Sequence, residues 1–463
     1  MTTHVSTQDP RPTTRGLTVR LGRWIDGWDA EDPEQWEAEG GAIARRNLGW
    51  SVFAEFLGFV VWQLWSTVVV MLPGAGFDLT STQQFWLISV ASLVGATMRF
   101  PYTFMVARFG GRNWTMISAA LLLIPAGLIG VVVQFPETPY PVLLAVAALG
   151  GFGGGNFASS MTNITYFFPQ REKGWALGLN AAGGNIGAAV AQLLVPIVVT
   201  LGAVGTLRLE LAGFVWIPLI LVAIWGAWRY MDNLSDARSD LAGALAAARE
   251  PHLWIMALLY VGTFGSFIGF AGVFPKLIAD QFPAFSTFQI GSASLSLAFL
   301  GALVGSLARP YGGRLADRFG GARMTVASFG LMIAATVALV VTLPLGSFWT
   351  FLACFLALFC ATGVGNGATY RMIPSIFAAR GAATAGREHA VGAQRRGAAA
   401  LGIISALGAY GGFLVPQVLS ASQAATGGYT AAFLGFVGAY AALGVLTAAV
   451  YLVPRRSLAG RIV

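Results

Sequence analysis

Two arginines stand where charge is expensive. Arg99 and Arg309 each interrupt a long apolar run, and each lies ten residues before a Phe-Gly-Gly that closes its run, at Phe109 to Gly111 and Phe319 to Gly321. At about 1.5 Å per helical residue, that places each guanidinium roughly 15 Å from the end of its run, half of a hydrocarbon layer about 30 Å thick. An arginine at that depth costs between about 2.5 and 17 kcal/mol, depending on the scale. The ordinary remedy is a buried carboxylate. Glu55 is the one acidic residue inside an apolar run. It is expected about one turn from the start of its helix, too peripheral to serve two mid-membrane cations. The missing negative charge then comes from a bound anion. Arginine suits that task, because its planar fork donates parallel hydrogen bonds to a flat oxyanion and its charge does not titrate away.

Other side chains could complete such a site. Phe157, Tyr260 and Phe264 lie on segments that can face the centre. Flat rings suit a flat anion, although a single aromatic in an apolar helix more often faces core or lipid. Asn156, Asn163, Asn180, Asn185 and Asn366 also fall within apolar runs. A buried amide must be hydrogen-bonded, and joining helices is its commoner duty. Cys354 and Cys360 share one apolar run, and His4, His252 and His389 lie outside such runs or at their edges. No metal-ligand spacing results, so neither metal nor cofactor is expected. No nucleophile–base pair suggests an enzyme.

The elements that must position these residues are helices in a membrane. Only 10% of the residues are charged, against about 25% in soluble proteins, too few to wet the surface of a chain this long. Twelve apolar segments are expected near 49–72, 83–107, 113–134, 140–168, 172–201, 211–231, 252–279, 287–316, 323–344, 347–377, 392–421 and 429–452. They divide the chain into a tail (1–48), partly helical at the membrane surface, a six-helix bundle (49–231), a polar linker (232–251), a second bundle (252–453) and a short tail (454–463). Lys and Arg crowd the loops of one side, while the other holds only Arg208 and Lys276. Both termini are therefore expected in the cytoplasm. The basic residues are scattered over short loops, which argues against nucleic acid as a partner.

The halves repeat. At a constant offset of 210, Gly95, Arg99, Arg108, Phe109, Gly110 and Gly111 meet Gly305, Arg309, Arg318, Phe319, Gly320 and Gly321. The same offset joins Gly153, Gly155, Asn156, Ala158 and Phe167 to Gly363, Gly365, Asn366, Ala368 and Phe377. At offset 224, Ala176-Leu177-Gly178, Gly184 and Gly187 meet Ala400-Leu401-Gly402, Gly408 and Gly411. A loop 14 residues longer therefore separates segments ten and eleven. Six spans per repeat give both halves one orientation, and parallel repeats put a substrate site near the midplane between them.

Over essentially its whole length the chain resembles the nitrate/nitrite porter family of the major facilitator superfamily, in particular its NarK-type members. The most specific stretches run from Gly150 to Gly187 and from Gly363 to Phe377, with Ala400 to Gly412; they look like the family's two signature regions. The resemblance implies an all-α fold of twelve transmembrane helices in two six-helix parallel repeats, in a bacterial cytoplasmic (inner) membrane. It implies that Arg99 and Arg309 clamp the anion, that Asn185 and Tyr260 hydrogen-bond it, and that Phe157 and Phe264 pack on its faces. Gly178, Gly183, Gly184, Gly187, Gly408, Gly411 and Gly412 would serve helix packing and sliding. The partners implied are nitrate, nitrite and the lipid bilayer, with the protein a monomer. Exchange of nitrate for nitrite is the expected activity, since two facing charges resist closure until an anion screens them. Proton-coupled nitrate import is an alternative, and an organic-phosphate antiporter a more distant one, lacking the extra Lys or His that a larger dianion needs.

Overall fold

The computed structural model describes residues 11–12, 17–201, 207–237, 241–382 and 400–453. The expected tail at 454–463 and most of the long loop between segments ten and eleven lie outside them. Twelve helices organise the chain: α1 (Gly41–Met71), α2 (Ser81–Phe109), α3 (Gly111–Val132), α4 (Tyr140–Phe167), α5 (Gln170–Thr200), α6 (Leu211–Tyr230), α7 (Pro251–Gln281), α8 (Phe299–Phe319), α9 (Gly321–Thr342), α10 (Phe348–Ala382), α11 (Ala400–Thr426) and α12 (Thr430–Leu452). They form two six-helix repeats. Among the described residues, ten helices are long and apolar enough to cross a membrane by length and composition. The two spans that fall short are α2 and α8, the helices that carry Arg99 and Arg309.

Local chemistry fixes the ends of these two helices. A capping box between Thr80 and Gln83 starts α2, which satisfies amide groups that have no partner in the first turn. Gly110 at φ 85° stops it, and Gly320 at φ 93° stops α8, a left-handed geometry open to glycine at little cost. The repeated Phe-Gly-Gly is thus a helix-ending turn used twice.

Close backbone approach ties α4 onto α1 and α2. A Cβ at Gly153 would lie 2.1 Å from the Gly58 carbonyl, and one at Gly151 would lie 2.7 Å from the Gly95 nitrogen. In the second half a Cβ at Gly363 would lie 2.3 Å from the Gly305 carbonyl. The glycine-rich stretches are therefore contact surfaces, as in other membrane bundles where small residues let backbones approach.

Three features differ from expectation. The helix that holds the first apolar run begins well before residue 49: a helical turn at Pro33–Gln35 and a π-helical stretch at Trp36–Gly40 run directly into α1. Segment eight does not start as a helix: β5 (Phe288–Ile290) and β6 (Ala293–Leu295) form an antiparallel hairpin around Gly291 at φ 64°, and α8 begins only at Phe299. Lys276 is not a loop residue. It lies within α7, buried, where its ammonium donates to Gln84 (2.8 Å) and pairs with Asp280 (3.0 Å).

The polar tail is folded against the first half. β1 (Arg11–Pro12), β2 (Thr18–Arg20) and β3 (Trp24–Asp26) form an antiparallel sheet, and β3 pairs in parallel with β4 (Asn233–Leu234) after α6. Asp232 is the anchor. It takes hydrogen bonds from Arg23, Arg46 and Asn47, while Leu17, Ile25, Trp36 and Leu234 pack with Leu48, Phe167 and Phe168. Outside the helices, the carboxyl of Asp26 is held below its ordinary range by hydrogen bonds from Arg20 and Ser235.

Candidate functional site

Arg99 and Arg309 project from the middle of α2 and α8 into the seam between the halves. Arg99 is 0% exposed and Arg309 5%, so neither cation reaches bulk water. Arg99 Nε donates to the Gly154 carbonyl on α4 (3.1 Å), and its Nη1 donates to the Ser405 carbonyl on α11 of the other half (2.8 Å). Its Nη2 is buried and unpartnered. Arg309 makes a single long bond, Nη2 to the Tyr260 hydroxyl at 3.4 Å, and its Nη1 is buried without a partner. Neither arginine is among the ion pairs formed by the described residues.

Aromatic rings surround both charges. The Arg99 guanidinium carbon lies 4.5 Å from the Phe157 ring centre, 5.3 Å from Phe264 and 5.5 Å from Trp62. That of Arg309 lies 5.3 Å from Tyr370 and 5.9 Å from Phe157. Phe157 is shared, so the two charges are neighbours. Each contact of this kind is worth about 2 kcal/mol when desolvated, which softens the burial of a cation without neutralising it. A π-helical turn at Val261–Gly265 in α7 follows Tyr260. Tyr260 and Phe264 stack there at 5.2 Å and 19°, and Phe264 stacks on Phe157 at 6.4 Å and 25°. Turns of this type collect at functional sites because they re-aim side chains.

The structure thus brings Arg99, Arg309, Phe157, Phe264 and Tyr260 together. Asn185 is fully buried on α5 with neither amide atom hydrogen-bonded, and no hydrogen bond joins it to either arginine among the described residues. Of the expected packing glycines, Gly183, Gly184 and Gly187 press α5 on Val52, Glu55 and Phe56 of α1. Gly408 faces Tyr260, Gly411 meets Gly265 backbone to backbone, and Gly412 lies against Ser92 across the seam. Gly178 touches nothing within 4 Å of where a Cβ would stand.

Sequence reasoning missed four contributors. Trp62 and Tyr370 look like any other aromatic in an apolar run. The carbonyls of Gly154 and Ser405 are invisible to residue type, although the glycine-rich context of Gly154 marks a place of close approach. Glu55 is misplaced outright. With α1 starting at Gly41, Glu55 lies fourteen residues into the helix and is 0% exposed, not one turn from its start.

The halves are joined on one side of this cluster. Bonds between them run from Ser81 to Gln423, Lys276 to Gln84, Gln417 to Ser89 and Thr97 to Tyr410, ending at Arg99 and Ser405. All lie between the start of α2 and its arginine. Beyond Arg99, towards Gly110, no side-chain hydrogen bond spans the seam among the described residues. The two buried cations in this seam keep donors, Arg99 Nη2 and Arg309 Nη1, to which a small anion could bond.

The family model described as Major Facilitator Superfamily matches residues 54–387. The chain is 42% identical over 453 residues to the nitrate/nitrite transporter NarU of Salmonella typhimurium, covering 92% of this chain and 96% of the relative. It is 37% identical over 445 residues to the probable nitrate/nitrite antiporter NarK2 of Thermus thermophilus, with coverage of 92% and 96%. Among solved structures it is similar to a bacterial homolog of the human lysosomal transporter Spinster, with a TM-score of 0.62 at 18% identity over 88% of this chain and 97% of that one. The nucleoside transporter NupG gives 0.58 at 13% over 87% and 98%. At such identities these two likenesses concern the fold alone.

Proposed function

The chain belongs to the major facilitator superfamily and, within it, to the nitrate/nitrite porter family, and from that premise we propose that it carries nitrate and nitrite across the membrane by alternating access, the anion held between Arg99 and Arg309. One observation carries the reading. Two buried guanidiniums crowd the same Phe157 ring, each with an Nη that has no partner, and no carboxylate pairs with either among the described residues. Unpaired donors at a buried cation are costly, and a planar anion with three oxygens supplies what both lack. Phe157 and Phe264 offer flat faces to it, Tyr260 a hydroxyl, and Asn185 an amide without other duties.

Transport is an exchange in this reading. With the clamp empty, two positive charges face each other and resist closure of the seam. A bound anion screens them, so the loaded protein rocks between its two open forms. The abundance of Lys and Arg at the Gly110 end of the bundle supports a cytoplasmic position for that end and for both termini. The joined Ser81 end is then the outer face. The protein resides in the cytoplasmic membrane and acts as a carrier without catalysing a reaction.

Counterflow tests the exchange. Vesicles loaded with nitrite should accumulate labelled nitrate, and vesicles without internal anion should not. Uptake into empty vesicles driven by an inward proton gradient would favour proton-coupled import, a second reading that the depth of Glu55 keeps in play.

A further inference from the structure

Arg45 and Arg46 are neighbours on α1 with different surroundings. Arg46 turns to α6, where its Nε donates to the Tyr230 carbonyl and its Nη2 pairs with Asp232. Arg45 turns to α5. It donates no hydrogen bond among the described residues, its side chain is 58% exposed, and the Glu172 carboxylate stands 3.9 Å away. That carboxylate is shared. It accepts from the Trp36 indole at 3.1 Å and lies 3.7 Å from Arg171, whose side chain is also half exposed. One acid serves two arginines, and a positive charge is left over.

Next to Arg45, towards the bilayer centre, the surface is apolar and hollow. A groove of about 250 Å³ runs between α1 and α5, lined by Leu48, Gly49, Val52, Trp175 and Leu179, with Arg45 at the end nearest the helix start. A Cβ on Gly49 would meet nothing within 4 Å, and Trp175 is 57% exposed. No third helix lines the groove. It also lies apart from the anion path. Gln192 of α5 donates across the seam to the Ala271 carbonyl at 2.6 Å, and at 3.6 residues per turn Trp175 and Leu179 stand roughly a third of a turn round α5 from it. Open apolar surface on that side of two spanning helices faces lipid.

We propose that this groove binds one anionic phospholipid of the cytoplasmic leaflet, its phosphate held by Arg45 and an acyl chain laid between α1 and α5 along Gly49, Val52 and Leu179. The inference goes beyond the transport reading and needs only the orientation in the membrane. Arg45 stands about one turn before the apolar run opens near residue 49, at the level of headgroups, and Trp175 is the kind of residue that collects at that level. A guanidinium grips a phosphate through two parallel hydrogen bonds, and basic groups at the cytoplasmic ends of spanning helices gather anionic lipid. The charge left over by Glu172 selects the headgroup, because a zwitterionic lipid would bring a second cation to Arg45 and Arg171. A free phosphate would meet the arginine and leave the apolar groove unfilled. Deeper in the membrane, Gly183, Gly184 and Gly187 already press α5 on α1; the lipid extends that contact towards the cytoplasm.

The test is native mass spectrometry of the delipidated full chain in detergent, titrated with phosphatidylglycerol or phosphatidylcholine of the same acyl chains. Wild type should retain one phosphatidylglycerol about fivefold or more tightly than phosphatidylcholine, the worth of one basic residue near the headgroups. Arg45→Gln should bring the two lipids level. Gly49→Phe, which fills the groove from an open position, should weaken both, and Gly49→Leu stands in if the larger ring prevents purification. Arg323→Ala, which removes an exposed arginine at the start of α9, should leave the preference as it is in wild type. Equal binding of the two lipids by wild type, a preference kept in Arg45→Gln or lost equally in Arg323→Ala, or undiminished binding in the Gly49 variant would overturn the proposal. Displacement of the lipid by inorganic phosphate would assign the arginine to a free anion and overturn it too.

Discussion

Gly184 and Gly408 do the same job in the two halves and make room for different chemistry. In the first half the space holds a carboxyl, Glu55; in the second it holds a phenol, Tyr260. The arginines differ in step. Arg309 leans on that phenol and little else, whereas Arg99 bypasses Glu55 and spends two of its nitrogens on carbonyls, one of them across the seam. A duplicated scaffold has thus been divided. The second half keeps its arginine nearly free to meet an anion, and the first half uses its arginine to bind the halves together. Symmetric helices need not give symmetric roles.

The division can be broken most strongly at the seam. A charge-assisted hydrogen bond is worth about 1.5–3 kcal/mol, so Arg99→Ala should raise the population parted at the Ser81 end by about 10- to 100-fold. Arg309→Ala should leave it unchanged. A Ser92→Cys reporter, buried against Gly412, with Cys354 and Cys360 replaced, reads this as the rate of thiol labelling. Equal labelling in the two variants would erase the distinction.

Next in size are the two glycines. Gly184→Ala and Gly408→Ala should each cost about 1–3 kcal/mol from overpacking, read as thermal stability in detergent. Gly408→Ala, which crowds Tyr260, should also weaken nitrate binding. Gly178→Ala, with open space around it, should stay within about 0.5 kcal/mol of wild type. Among the substitutions at the site, the smallest expected effect is that of Tyr260→Phe. It removes one long hydrogen bond, about 0.5–1.5 kcal/mol, and should weaken nitrate binding a few-fold without changing stability.

The pairing of Arg99 with Arg309 was legible because the repeat offset is constant through both helices and because Phe-Gly-Gly marks the same end of each. Depth could be counted from that mark. Glu55 had no such mark. Its apolar run opens near residue 49, but the helix runs unbroken from Pro33 through Arg46 and Asn47, polar residues whose side chains are taken up by Asp232. The contact spans nearly two hundred residues, and no local pattern announces it. The hairpin at Phe288–Leu295 was hidden for a different reason: its residues are apolar enough to extend the helix that follows, and only Gly291 hints at the turn. Lys276 read as a loop cation because a lone lysine near a helix end commonly is one; Asp280 follows it by four residues on α7, but its other partner, Gln84, lies on α2 nearly two hundred residues away.

The central claim is that two arginines, each short of one hydrogen bond, hold a single flat anion. Nitrate binding isotherms for wild type, Arg99→Lys and Arg309→Lys test it most directly, since lysine keeps the charge and removes the planar fork. Each variant should bind nitrate at least about tenfold more weakly than wild type, the loss of roughly one charge-assisted bond. Wild-type affinity in both would contradict the claim.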